Sequence, residues 1–140
     1  MILYLSFEEL AALNTSASDV LADNAAGTHG VVAPPQVIAE IEQVLPLLVG
    51  DVGLRSLDDQ RRMQHAVRYL TIHARRQMER AVIEEHPAAE PAIAAYFIYA
   101  QLLTVANRLD AIGAEMAAVI KLLTHEQPDS EAARRFTFPD

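Results

Sequence analysis

From Pro91 to Asn107 the chain has no charged side chain, and within this run Ala-Ile-Ala-Ala-Tyr-Phe-Ile-Tyr-Ala-Gln-Leu-Leu-Thr-Val-Ala (residues 92 to 106) is apolar on nearly every side of a helical wheel. Such a segment has no face suited to water, so it predicts a helix buried in the middle of a domain. A polar turn punctuated by prolines, Glu84-Glu85-His86-Pro87-Ala88-Ala89-Glu90-Pro91, leads into it. The run is shorter than the roughly 20 residues a membrane span requires, and Arg108 and Asp110 close it, so we expect no membrane segment. Residues 1 to 10 lack a basic leader and contain Glu8 and Glu9, so no signal peptide is expected either. The expectation is a soluble, cytoplasmic protein.

At 140 residues and 51% hydrophobic, the chain suits one compact domain. We place it at residues 1–126, with 127–140 as a short tail packed on the same domain. The sequence has no cysteine, which excludes disulfides, thiolate catalysis and cysteine-ligated metal.

The remaining elements read as helices. Ser6-Phe7-Glu8-Glu9 is a capping box, and the apolar positions after it imply a first helix to about Ala25, ended by Gly27. Asn14-Thr15-Ser16 weaken its middle. Gly27-Thr28-His29-Gly30 reads as a turn. Pro34 and Pro35 suit the start of a second helix, Gln36 to about Leu45, which Pro46 kinks or ends. Ser56, followed by Asp58 and Asp59, caps a third helix whose inner stripe is Met63, Val67, Leu70, Ala74, Met78 and Ala81. Asn107, Asp110 and Gly113 all weaken a helix, so we expect the apolar helix to break there and a separate last helix to follow. A short turn at Ser130 to Arg135 and a Phe136-to-Pro139 tail complete an all-α fold of five or six helices around a central apolar one.

The net charge of −8 is unevenly spread: residues 1–54 hold seven acids and no Lys or Arg, whereas residues 55–80 hold seven Arg. An acidic total argues against nucleic-acid binding. Arg61, Arg68 and Arg75 line one side of the third helix, a face we read as solvated or paired within the molecule, answering the acidic first part of the chain. RNA or another anion on that face is the minority reading.

None of His29, His65, His73, His86 and His125 has a second histidine four residues away or an acid three before it, so the usual single-helix metal signatures are missing. Arg68-Tyr69-Leu70-Thr71-Ile72-His73 has the spacing seen in HEPN ribonucleases, which makes such an enzyme a distant alternative.

The order of features over about residues 3–126 resembles the Fic family, and in particular its small Doc (death-on-curing) branch. The resemblance rests on Tyr4 to Leu10, on Gly27 to Val31 with Pro35, on His86-Pro87, and on Asn107-Arg108-Leu109-Asp110. In active members the loop reads His-Pro-Phe-x-Asp/Glu-Gly-Asn-x-Arg: the His is a general base, the acid holds a metal on nucleotide phosphates, and the remainder forms an anion cradle. By this resemblance His86 is a vestigial general base and Glu90 a vestigial metal ligand. Ala88, Pro91, Ala92, Ile93 and Ala94 replace the phenylalanine, glycine, asparagine and basic positions. Read on its own residues, His86-Pro87 is a helix stop.

The resemblance therefore implies a Doc-like toxin-family protein with a degenerate nucleotide-transfer loop, catalytically inactive and acting by protein binding. No cofactor is expected, and Mg-ATP enters only under the alternative of an active transferase moving AMP or phosphate to a protein hydroxyl. A second alternative is an unrelated helical interaction protein. The expected partners are an antitoxin or other protein and a second copy of the chain.

Overall fold

The computed structural model describes residues 1–27 and 33–139. The protein is all-α, with five helices among the described residues: α1 (Phe7–Ala26), α2 (Pro35–Val44), α3 (Leu57–Glu84), α4 (Glu90–Thr124) and a one-turn α5 (Glu131–Arg134). A 3₁₀ turn, Leu45–Leu47, follows α2. Two-residue strands, β1 (Ile2–Leu3) and β2 (Val52–Gly53), pair antiparallel, Ile2 opposite Gly53 and Leu3 opposite Val52.

The local signals act where the residues place them. Ser6 accepts from the Glu9 N–H at 3.1 Å while the Glu9 carboxylate accepts from the Ser6 N–H at 2.9 Å, so the capping box is complete. Gly27 ends α1 at φ +65°, a left-handed conformation that a side chain would strain. The rest of the predicted turn, Thr28 to Gly30 with His29, lies outside the described residues. Ser56 caps α3 by accepting from the Asp59 N–H at 3.2 Å. The weak middle of α1 is used rather than broken: Asn14 Nδ2 donates to the Leu10 carbonyl and, at 2.8 Å, to that of Leu48, and Ser16 is buried.

α3 and α4 form a long antiparallel hairpin, with α1 and α2 packed on its middle stretch around Leu70, Leu102 and Val105 and the C-terminal segment on the end farther from the connecting turn. Leu13, Ala17, Val20, Ile41, Val44, Leu48, Met63, Val67, Leu70, Leu102, Val105 and Leu109 form the main core. A smaller core joins Leu57, Met116 and Ile120 to Ala133 and Phe138 of the C-terminal segment, where the Phe138 N–H donates to the Arg55 carbonyl at 2.6 Å.

Two expectations are corrected. α4 does not break at Asn107–Gly113 but runs unbroken for 35 residues. The three helix-weakening positions lie where α4 faces α3 or solvent, and two of them are used. Gln60, almost fully buried, donates its amide to the Leu109 carbonyl at 2.8 Å. It sits so close that a Cβ on Gly113 would lie 2.5 Å from the Gln60 nitrogen, so any larger residue there must displace the Gln60 amide. Asp110 accepts from Gln64 and, at 3.1 Å, from Arg68. Helix weakness there is outweighed by packing against α3.

The second correction concerns residues 92–106. Ala92, Leu102 and Val105 are buried, but Ile93, Tyr96, Phe97 and Leu103 are exposed. The segment is buried on one face only, because α1 and α2 do not extend around it. Likewise the inner stripe of α3 is fully buried through Ala74, whereas Met78 and Ala81 are only partly covered.

Candidate functional site

The predicted site occupies the turn that joins α3 to α4, at the distal tip of the hairpin. α3 ends at Glu84 with Glu85 as its cap, and α4 starts at Glu90 with no side-chain cap from Ala89. Pro91 falls in the first turn of α4, where a missing amide costs least. The structure places His86 in the turn and Glu90 four residues on, as the first residue of α4, and leaves both exposed. His86 Nδ1 accepts from the Ala88 N–H at 3.0 Å and the His86 carbonyl accepts from the Ala89 N–H at 3.0 Å, so the imidazole shapes its own turn.

From Pro87 to Asn107 the chain carries no Lys or Arg, so the positions that follow His86 offer no cation to an anion. The nearest following cation, Arg108, lies 18 residues along the same helix, about 27 Å away at the usual rise. It is also engaged: its two terminal nitrogens bind the Tyr4 carbonyl at 2.6 Å and Glu9 Oε2 at 2.7 Å. Among the described residues no group of three or more His, Asp or Glu side chains is placed to hold a metal ion. A hollow of about 250 Å³ lined by Val44, Leu47, Leu54, Arg62 and Met63 lies near the other end of α3.

The other sequence candidates are spread through the fold. His65 Nδ1 lies 3.8 Å from Glu40 on α2, and His125 closes α4 in a left-handed conformation with its N–H on the Lys121 carbonyl. The HEPN-spaced pair diverges: Arg68 binds Asp110 on α4, whereas His73 is influenced by Asp19 and Asp23 of α1. Burial lowers the His73 pKa; those two carboxylates oppose the shift, and Arg76 and Arg80 add to it. Each stripe arginine is paired within the molecule, Arg61 with Asp129 at 2.7 Å, Arg68 with Asp110 at 3.1 Å and Arg75 with Glu79 at 3.1 Å. Their partners lie in the second half of the chain, so the expectation that they answer the acidic first part is corrected.

Two features lay beyond sequence reasoning. One is a half-buried ion pair: the buried Glu9 carboxylate accepts from Ser6 N–H, Thr104 Oγ1 at 3.0 Å and the partly exposed Arg108. Burial alone would raise its pKa, but the bonds from Arg108, Ser6 and Thr104 outweigh that and hold it at about 2. The capping box signalled the Ser6 half of this arrangement; nothing local signalled Arg108, 99 residues away. The other is the exposed apolar surface at the distal end, on α4 at Ile93, Tyr96 and Phe97 and on α3 at Ile83.

No protein-family model, curated protein or solved structure matches this chain.

Proposed function

We propose that this chain is a Doc-like helical protein with a degenerate nucleotide-transfer loop, and that it acts without catalysis by binding another polypeptide through the distal end of its α3–α4 hairpin. The observation that carries this reading is a set of exposed large apolar side chains on both helices beside a turn whose cradle positions hold alanine, proline and isoleucine. Ile83 is 83% exposed, and Tyr96 and Phe97 are each 58% exposed. Exposed apolar groups cost free energy until a partner covers them, and clustered ones mark interaction surfaces. The Doc-like part rests on the capped first helix and the His86-Pro87 turn; the Asn107-Arg108-Leu109-Asp110 run, which lies inside the unbroken α4, lends it no support.

Charge supports the absence of transfer. Glu84, Glu85 and Glu90 surround His86, and a polyphosphate there meets carboxylates. Each charge-assisted contact to phosphate contributes roughly 1.5–3 kcal/mol, so losing two of them weakens binding by about two orders of magnitude or more. A base without a positioned electrophile has nothing to act upon.

Two measurements test the proposal. Titration calorimetry with Mg-ATP is expected to give no binding heat, and incubation of labelled ATP with a cell extract no labelled product. Labelling that disappears in His86→Ala would overturn the non-catalytic reading. In native extracts the protein is expected to elute in an assembly that Tyr96→Glu disperses. Elution as a free monomer would overturn the binding reading.

A further inference from the structure

α4 carries two apolar stripes. One, formed by Ala92, Leu102, Val105, Leu109, Met116 and Ile120, packs inside the molecule. The other is Ile93, Tyr96, Ala100 and Leu103, with Phe97 beside it, at the alternating three- and four-residue steps of a coiled-coil seam. Its large members are 38–58% exposed. Of the most apolar 18-residue window of α4 only 22% is buried.

Building on the binding role proposed above, we infer that the occupant of this second stripe is a second copy of the chain, its α4 lying antiparallel across a twofold axis level with Ile98. Three observations select that occupant. First, the stripe is self-complementary when reversed. About this axis Ile93 meets Leu103 and Tyr96 meets Ala100, so a large ring lies opposite a small residue at the two central positions and branched aliphatics meet at the ends.

Second, charge selects the orientation. Glu84, Glu85 and Glu90 crowd the distal tip, and no charge follows until Arg108. Parallel pairing would stack six carboxylates; antiparallel pairing separates the two Glu90 residues by about 24 Å along the helix.

Third, the surface continues to where the reversed partner needs it. Arg108 holds the Tyr4 carbonyl and Thr104 holds Glu9, which sets the start of α1 beside the proximal end of the stripe. There Tyr4 is 65% and Phe7 81% exposed. The partner's tip, Pro87-Ala88-Ala89 and Pro91, arrives level with these two rings. The small apolar residues that stand where a phosphate cradle is missing thus acquire a role as a contact surface. Taking each side chain at about 200 Å², the exposed parts of Tyr4, Phe7, Ile93, Tyr96, Phe97 and Leu103 amount to at most roughly 700 Å² per copy. About 1,400 Å² for the pair falls within the range of specific interfaces.

Light scattering on the purified full chain at micromolar concentration is expected to give twice the 15.4 kDa chain mass. Tyr96→Glu and Phe7→Glu, both at exposed positions, are expected to weaken the dimer at least 100-fold, a loss of about 2.7 kcal/mol. Leu122→Glu, exposed on α4 about 28 Å beyond Leu103, is expected to leave it unchanged. Orientation is read independently by a single spin label at Glu90→Cys, convenient in a chain without native cysteine: about 25 Å between labels is expected, and about 10 Å would mean parallel pairing and overturn the geometry. A monomer at these concentrations, or a dimer indifferent to both glutamate variants, overturns self-pairing. Should that monomer sediment with lipid vesicles unless Tyr96 is replaced by Glu, the stripe serves a membrane instead. A purified monomer that is still assembled in native extracts would refute the second copy while leaving the proposed binding role standing.

Discussion

The proximal and distal halves of the α3–α4 hairpin have similar helices and different surroundings. Around Leu70, Leu102, Val105 and Leu109 the hairpin is enclosed by α1 and α2, and its side chains are sealed from water. Toward the turn the same two helices meet mainly each other, and Ile83, Ile93, Tyr96 and Phe97 stand in solvent. Apolar composition alone therefore does not decide burial. What decides it is whether a third element reaches that level of the hairpin.

The sharpest test of this contrast substitutes both halves. Leu102→Ala should cost roughly 3–4 kcal/mol in chemical denaturation, because a fully buried side chain leaves a cavity. Phe97→Ala should stay within about 1 kcal/mol for the dissociated chain. Equal losses would erase the distinction between the halves.

The next effect is electrostatic and anchors α1 to the proximal half. The Glu9 carboxyl sits at about 2 in the folded protein against 4.5 ordinarily. A group whose pKa is depressed on folding contributes its full stability above its unfolded value. That contribution is lost as pH falls through the folded value, here between about pH 4.5 and 2. The shift corresponds to roughly 3 kcal/mol at neutral pH. Denaturation midpoints across this window should fall steeply in the native chain and more shallowly in Glu9→Gln, which is also less stable at pH 7.

Gly113→Ala comes next, at about 2 kcal/mol, since the new methyl displaces Gln60 from the Leu109 carbonyl. A double-mutant cycle with Gln60→Ala should recover most of that loss; additivity would mean that helix propensity, not crowding, governs the site. The smallest change is expected for Arg75→Ala. Its exposed pair with Glu79 lies within one helix, so stability should move by less than about 0.5 kcal/mol.

How much of this was legible depended on distance along the chain. Ser6 and Glu9, Gly27, and Ser56 act on residues within four positions, so the starts of α1 and α3 and the end of α1 could be read directly. Gly113 and Asp110 looked like helix breakers because their partners, Gln60, Gln64 and Arg68, lie 42 to 53 residues earlier. The candidate site divided in the same way. That the turn holds His86 and leads into Glu90 followed from their spacing, whereas the openness of that turn and the apolar stripe beside it did not.

By itself, then, the sequence determined the helical class, the capped helix ends and the turn at His86, because hydrogen-bond caps and backbone preferences are local. It could not determine which side of α4 faces the interior, since a segment uncharged on every side gives burial no preferred direction. The tertiary structure decided that through the extent of α1 and α2. It decided likewise that Glu9, a helix-cap residue in sequence, becomes the buried half of an ion pair with Arg108, because only folding brings the two charges together.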